Sequence, residues 1–209
     1  MKISYNGSMS EPTMPRRTQA QRTRQRKKQV IHAAIRFFGQ YGFHGARLAD
    51  IAKEAGVTEP GLLHHFPSKE DLFMEVLAER DQIDRERFDP TTHTKDGDPL
   101  NSLQKLVEHN ETVPGLVQLF TVLVAESIDQ HHPGHEFFKH RYHDLRDQTV
   151  NVLRKAQEQH DIRTDIPADD LTIMLFAMMD GLQLQWLYEP EKINMARLFG
   201  QFLGLLKGE

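Results

Sequence analysis

Residues 57–73, VTEPGLLHHFPSKEDLF, hold two helix starts within one short stretch of chain. Thr58 is a favourable N-cap, and Pro67 ends the helix that it starts after about two turns. Ser68 and Asp71 then predict the cap of the next helix, in the manner of a capping box. An isolated helix of ~12 residues is already marginal in water. The first of these two helices must therefore be stabilised by burial against its neighbours.

The rest of the chain carries the same helical pattern. Apolar residues recur at three- and four-residue spacing in nine segments, from about 23–41 to about 192–206. There is no period-two alternation and no internal repeat, so we expect an all-α fold. Residues 88–99, FDPTTHTKDGDP, are the clearest break between helices. A later break is expected at Ile166-Pro167, where the seventh helix should end.

Several classes of protein are excluded by composition. The 209 residues include no cysteine, so disulfides and thiolate metal sites cannot form. The N-terminus has no apolar signal segment, and residues 113–128 are too short and too polar to span a bilayer. We expect a cytoplasmic protein with no membrane partner. Without a phosphate loop, nucleophile elbow or H-E-x-x-H motif, we expect no enzymatic activity and no cofactor.

The charge of the chain is divided unevenly. Residues 1–69 contain 12 Lys and Arg against four acidic residues, whereas the remainder contains 14 basic and 26 acidic residues. Opposite net charges in the two parts favour an anionic partner for the N-terminal part, either nucleic acid or a membrane surface. A solvated basic tail would give the same pattern, so charge alone leaves both interpretations open.

The second and third helices are short and flank the sequence EAGVT. Gly56 permits a sharp turn and Val57 can pack inside it, which indicates a helix-turn-helix whose second helix projects into a DNA major groove. The sequence IHAAIRFFGQYGFHGARLADIAKEAGVTEPGLLHHFPSKEDLF, within Val30–Val76, resembles the DNA-binding domain of the TetR (tetracycline repressor) family. The resemblance rests on G-F…D-I-A-x-x-A-G-V-T…L-x-x-H-F-P-S-K-E-D-L.

This resemblance implies that the third helix enters the major groove and that Lys69 meets a phosphate. A helix N-terminus also attracts anions independently of any family. Leu63 stands where the family commonly has Tyr, and Ala46-Arg47 stand where it commonly has a Thr or Ser. Gly61 brings no side chain, so we expect shape to carry part of the specificity. The candidate DNA-binding residues are Arg47, Leu48, Thr58, Glu59, Pro60, Gly61, Leu63, His64, His65 and Lys69.

The expected domains are a disordered basic arm (1–21), the helix-turn-helix domain (22–70) and a helical-bundle domain for ligand binding and dimerisation (71–209). The resemblance implies a homodimer formed by the last two helices. The eighth helix is apolar on nearly every side, and a four-helix interface between two copies would cover it. It could instead be the central core helix of one copy. The candidate interface residues are Leu184, Leu187, Met195, Phe199, Phe202 and Leu206.

The resemblance also implies a pocket for a small-molecule effector in the C-terminal part. Pockets combine an apolar lining with a few polar groups, so the candidates are polar or aromatic residues within apolar helices. Each could equally be an ordinary core or surface residue. They are His109, Phe120, Glu126, Tyr142, His143, Met174, Met178, Asp180, Gln183 and Trp186.

Residues 131–143 contain five histidines, some at the spacing that holds zinc or nickel on a helix. Pro133-Gly134 interrupts that helix and no second histidine-rich segment completes a ligand set, so we expect no metal site.

Three functions follow in order of preference. The first is a ligand-responsive transcriptional regulator, most often a repressor, that binds a near-palindromic double-stranded operator as a homodimer. The second is a basic-tailed architectural DNA-binding protein with no inducer. The third is a His-rich metal-binding helical protein.

Overall fold

The computed structural model describes residues 18–88 and 99–207, which form nine helices and no strand. The all-α prediction is therefore confirmed. None of the described helices combines the length and apolarity needed to cross a membrane. In chain order the helices are α1 (Gln19–Gly45), α2 (Leu48–Glu54), α3 (Glu59–His65), α4 (Lys69–Phe88), α5 (Pro99–Thr112), α6 (Pro114–Glu126), α7 (His135–Glu158), α8 (Ala168–Tyr188) and α9 (Met195–Lys207).

The buried side chains form two apolar clusters. The N-terminal cluster joins α1–α4 to α6 and to Phe138 of α7, with Phe38 and Phe73 fully buried. The C-terminal cluster joins α5, α7, α8 and α9 around Leu175 and Phe199, and α6 adds Val117 to it. Helix α6 therefore belongs to both clusters. The first half of α4 packs in the N-terminal cluster, on the far side of the domain boundary expected at residue 70.

Helices α1 and α6 approach each other closely at Gly39. A Cβ there would lie 3.2 Å from the Leu119 Cα, tighter than ordinary van der Waals contact. Further along, α1 kinks at Gly42, whose φ of 68° and ψ of −178° are not helical. The Phe43 amide beyond the kink donates a hydrogen bond to Glu126 Oε2 at 2.7 Å. The first helix was predicted over about 23–41, but the chain resumes beyond the kink to Gly45, where Glu126 accepts the Phe43 amide.

Helix α2 ends in the glycine-based turn expected from the sequence. Gly56 has φ 69°, its amide donates to the Lys53 carbonyl at 3.2 Å, and the Val57 amide donates to the Ala52 carbonyl at 3.0 Å. These two bonds define a Schellman motif. The motif turns the chain sharply between α2 and α3, so the turn of the predicted helix-turn-helix is present.

Helix α7 ends earlier than predicted. It stops at Glu158 rather than at Ile166-Pro167, because His160 takes a left-handed conformation with φ 62°. The His160 and Asp161 amides donate to the Gln157 and Ala156 carbonyls, which is again a Schellman motif. The segment that follows packs on α9, where the Arg163 amide donates to the Leu206 carbonyl at 2.8 Å.

The predicted arm at residues 1–21 lies outside the described residues except for its last four, and α1 already begins at Gln19. Thr18 caps α1 through a reciprocal pair of bonds with Gln21. Most of the break predicted at residues 88–99 also lies outside the described residues, which omit 89–98.

Gly42→Ala should destabilise the protein, because Gly42 has a backbone conformation that is nearly restricted to glycine and its new Cβ would overlap the Glu126 carboxylate. Strain of this kind costs about 1–3 kcal/mol. Thermal or urea unfolding measures the change. Gly115→Ala is the matched control: nothing lies within 4 Å of its Cβ position in α6, so it should stabilise by about 0.4–1 kcal/mol. Equal effects of the two substitutions would contradict this account of Gly42.

Candidate DNA-binding face and ligand cavity

Helix α3 presents one face to the core and the other to solvent. Leu62 is fully buried in the N-terminal cluster, whereas Glu59, Pro60, Leu63 and His64 are exposed. The short helix is thus held by a single buried leucine and by its cap. Its free surface is available to a partner.

The cap of α3 also accounts for Gly61. The Thr58 hydroxyl accepts a hydrogen bond from the Gly61 amide at 3.2 Å. A Cβ on Gly61 would lie 3.1 Å from that same hydroxyl oxygen. A side chain at position 61 would therefore crowd the group that caps the helix.

The basic half of α1 lies beside the end of α3. Arg22, Arg26 and Lys28 are exposed along it. Lys27 Nζ is 2.6 Å from Glu75 Oε1 and 5.5 Å from the centre of the Phe66 ring. Burial lowers the pKa of His65, and the charges of His64, Arg26 and Lys27 lower it further. These cations surround the C-terminal end of α3, so a partner that docks on α3 meets positive charge.

Two candidate residues have structural contacts as well as access to a partner. The Lys69 ammonium donates to the His44 carbonyl at 3.2 Å and lies 4.9 Å from the centre of the Phe43 ring. Burial lowers its pKa, against the charges of Glu70 and Glu126. Leu48 packs against the N-terminal cluster, so it contributes burial more than contact. Arg47, at the N-cap of α2, is exposed.

A cavity of about 140 Å³ lies where α4, α5, α6, α7 and α8 meet. One part of its lining is apolar and the other carries charged groups and amides. The lining residues are Arg80, Asp81, Leu103, Leu106, Asn110, Phe120, Arg141, Tyr142, Asp144, Leu145, Gln148, Thr149, Phe176, Met179, Asp180 and Gln183.

Two polar pairs cross this cavity between helices. The Tyr142 hydroxyl of α7 donates to Asp180 Oδ2 of α8 at 2.7 Å. Burial raises the pKa of both groups; for Asp180 the Tyr142 hydrogen bond and the two nearby arginines oppose the rise. Arg141 Nη1 lies 2.8 Å from Asp81 Oδ1 of α4. These pairs tie α7 to both α4 and α8.

Four of the ten candidate ligand residues line the cavity, namely Phe120, Tyr142, Asp180 and Gln183. The other six do not. Glu126 binds the Phe43 amide instead, His143 and Met174 are exposed, His109 and Met178 are partly buried elsewhere, and Trp186 is a core residue.

Sequence reasoning missed the polar residues Arg80, Asp81, Asn110, Arg141, Gln148 and Thr149, which also line the cavity. Each resembles an ordinary solvent-facing residue of an amphipathic helix. Only the packing of five helices shows that they face one space.

The outer faces of α8 and α9 keep exposed apolar side chains. Ile173, Leu184 and Tyr188 lie on one face of α8, and Leu205 is exposed on α9. Of the expected interface residues, Leu184 is 46% exposed, while Leu187 and Phe202 are partly buried. Met195, Phe199 and Leu206 were also expected at the interface. They are instead buried in the chain's own C-terminal cluster and offer no surface to a second copy.

The histidines of residues 131–143 do not come together. His140 and His143 are exposed and lie near Glu136 and Asp147, and His135 Nδ1 is 2.9 Å from the Ser127 carbonyl. Within residues 18–88 and 99–207, no three histidines or carboxylates are grouped as metal ligands would be.

His132 is buried at the junction of α1, α4 and the α6–α7 turn. Its ring packs edge-on against Phe43 and Phe73. Its Nδ1 accepts the Gly134 amide at 3.1 Å, so the ring proton is on Nε2, 3.6 Å from Glu126 Oε2. Burial lowers the pKa of His132 and outweighs the Glu126 carboxylate, which raises it. The environment of the junction therefore favours the neutral imidazole.

Known families match both parts of the chain. The family described as bacterial regulatory proteins of the tetR family matches residues 30–76. The C-terminal family of BetI-type transcriptional repressors matches residues 106–202. The chain belongs to the TetR family. Members of this family bind DNA and ligands and are typically dimers.

Relatives in the TetR family are similar over different lengths. The regulator RutR of Escherichia coli strain K12 is 50% identical over 54 residues, which span 26% of each chain. The match thus covers about a quarter of that relative's length. The regulator AcrR of Shigella flexneri is 25% identical over 207 residues, 92% of each chain.

The fold also matches a solved TetR-type structure, a transcriptional regulator from Saccharomonospora viridis in complex with choline. The TM-score is 0.72 at 25% identity, covering 85% of this chain and 95% of that one.

Lowering the pH should destabilise the TetR-family fold through His132. The unfolded imidazole titrates near ~6.5, but the folded one has a lower pKa. Its contribution to stability is present above ~6.5 and is lost as pH falls through the folded value. His132→Asn keeps an acceptor for the Gly134 amide and does not titrate. Its melting temperature should fall less than that of the wild type between about pH 7.5 and 5.5; equal falls would contradict the assignment.

Proposed function

We propose that this TetR-family chain is a ligand-responsive transcriptional repressor that binds a near-palindromic operator as a homodimer and is released by a small molecule. The observation that carries the proposal is the geometry of α3. The helix is capped by Thr58 and anchored by the buried Leu62, and its exposed face is flanked by the cations of α1. Duplex DNA, with a groove that admits a helix and a charged backbone, fits that surface.

In this function α3 enters the major groove. Of its exposed side chains, Pro60, Leu63 and His64 would face base edges, with shape complementarity supplying part of the specificity. Arg47, at the N-cap of α2, and Lys69, at the start of α4, would meet phosphates. Arg22 and Arg26, on one face of α1, extend the positive surface along the backbone.

In this function, the cavity couples ligand binding to DNA binding through α4 and α6. Arg80 and Asp81 line it from α4, the helix that follows α3 directly and begins at Lys69. Phe120 lines it from α6, whose last residue, Glu126, binds the Phe43 amide. A ligand that changes the positions of α4 and α6 would change the orientation of α3. A coupling free energy of ~1–3 kcal/mol is typical of such regulation.

The cavity also bears on the alternatives. An architectural protein without an inducer has no use for a cavity lined by paired charges, because buried polar groups reduce stability. The lining of the cavity therefore favours a regulator. The S. viridis regulator, which is in complex with choline, supports a small-molecule ligand for this chain. Choline is a cation, and two arginines, Arg80 and Arg141, line the cavity here.

For the dimer, the exposed apolar stripe of α8 with Leu205 of α9 is the proposed contact. Two copies would bury Ile173, Leu184 and Tyr188 in a four-helix interface. The two α3 helices would then meet successive major grooves about 34–36 Å apart.

DNA binding is tested with duplexes from the region upstream of the chain's own gene. The wild type should protect a near-palindromic site at low salt without ligand. Arg22→Gln with Arg26→Gln should weaken binding to all sequences and reduce the salt slope by up to about two, one for each phosphate that the variant no longer neutralises. His64→Ala should instead weaken operator binding more than binding to scrambled DNA.

Arg154→Gln is the control for this series, since Arg154 is an exposed arginine of α7 paired with Asp169; it should leave the slope unchanged. Equal wild-type affinity for operator and scrambled DNA would support the architectural function. Absence of protection from every upstream duplex would contradict DNA regulation.

The dimer is tested by sedimentation at about 10 µM. Leu184→Lys should convert the protein to a monomer, because it introduces a charge into the proposed apolar contact. Ile128→Lys is the matched control: Ile128 is 77% exposed and lies outside the stripe, so the variant should remain dimeric. A dimer in both variants would place the interface elsewhere.

A further inference from the structure

The size of the cavity limits what it can hold. Its volume of about 140 Å³ is close to the ~150 Å³ of an engineered cavity that takes up benzene. A ligand that is enclosed there has the dimensions of a single substituted ring. Phe120, Leu145 and Phe176 supply apolar contacts for such a ring.

Two carboxamides in the lining have no hydrogen-bond partner within the described part of the chain. Asn110 of α5 and Gln183 of α8 are each only 4% exposed, and both line the cavity. Among residues 18–88 and 99–207, neither side chain makes a hydrogen bond. Buried amides in proteins are nearly always hydrogen-bonded. These two therefore have donors and acceptors left for a molecule in the cavity.

The charged groups of the lining balance one another. Arg141 is paired with Asp81, and the Arg80 guanidinium lies 4.0 Å from the centre of the Phe120 ring. Asp180 accepts from Tyr142, and Asp144 is exposed at the rim. A cation in the cavity would face two guanidinium groups, and an anion would face Asp81 and Asp180. Either would leave an excess of buried charge.

We infer that the cavity binds a small uncharged ring compound that carries both a hydrogen-bond donor and an acceptor, recognised by the carboxamides of Asn110 and Gln183. A carboxamide presents an acceptor oxygen and two donor hydrogens, so each can pair with a donor or an acceptor of the ligand. The ring occupies the apolar part of the cavity. This inference deepens the proposed function, since it gives the chemical class of the effector, and it rests on that function.

Three probes of the same shape separate the classes: benzamide, benzoate and benzamidinium. Binding to the full-length protein is measured by calorimetry without DNA. Benzamide should bind at least about tenfold more tightly than either charged probe. Stronger binding of benzoate or benzamidinium would overturn the inference, as would no binding of benzamide up to about 10 mM, which would indicate that water alone satisfies the amides.

Gln183→Met tests the residue assignment with two readouts. Replacing this amide by an apolar group of similar size should leave the melting temperature unchanged or raise it, because no hydrogen bond within the described residues is lost. It should also reduce benzamide affinity at least about tenfold while leaving toluene binding unchanged or tighter. A fall in melting temperature would mean that the protein itself satisfies this amide, and the inference would be wrong.

Gln185→Met is the matched control, because Gln185 is an exposed residue of the same helix outside the cavity; it should change neither readout. Release of the operator is measured separately. If benzamide binds but DNA is not released, the ligand class stands and the regulatory function fails. If no operator is found and benzamide binding still depends on Gln183, the ligand class again stands and the regulatory function fails.

Discussion

The Glu126 carboxylate accepts the amide of Phe43 across the kink in α1, and this bond connects the parts of the molecule that would bind DNA and ligand. It forms only because Gly42 permits the kink and leaves room for the carboxylate. Gly39 allows α6 to approach α1 closely enough for the bond to be made. His132 and Phe73 close the same junction from the α6–α7 turn and from α4. The geometry of the kink in α1 thus depends on where α6 ends.

Helices α4 and α6 each reach from this junction to the cavity. Arg80 and Asp81 lie about three turns beyond Lys69 on α4, and Phe120 lies under two turns before Glu126 on α6. A ligand that displaces the lining of the cavity therefore acts on two helices that extend to the DNA-binding part. In the inferred binding mode, a ligand that pairs with the Asn110 and Gln183 amides adds hydrogen bonds that the described residues do not supply. The polar groups that bind the ligand are therefore also the groups through which it would favour one conformation of the protein.

Helix starts and turns were predictable because they depend on a few adjacent residues. Thr58, Ser68 and Gly56 act on amides and carbonyls within about four positions, and the structure confirms the roles of Thr58 and Gly56. Ser68 accepts the Asp71 amide as expected, although the Asp71 carboxylate bonds the Ser68 hydroxyl rather than its amide. The end of α7 was predicted wrongly, since a histidine rather than a glycine takes the left-handed position. Nothing in the local sequence requires that choice.

The sequence by itself determined the all-α class, the helix-turn-helix and the exposed surface of α3, because cap chemistry and apolar spacing are properties of short segments. It also indicated Tyr142, Asp180 and Gln183 as polar residues within apolar surroundings. Only the tertiary structure decided that Asn110, Arg80 and Arg141 face the same cavity, that Glu126 serves the junction, and that Phe199 belongs to the core. The physical reason is that a cavity and a buried junction are made by side chains from several helices, whose relative placement depends on packing between distant segments.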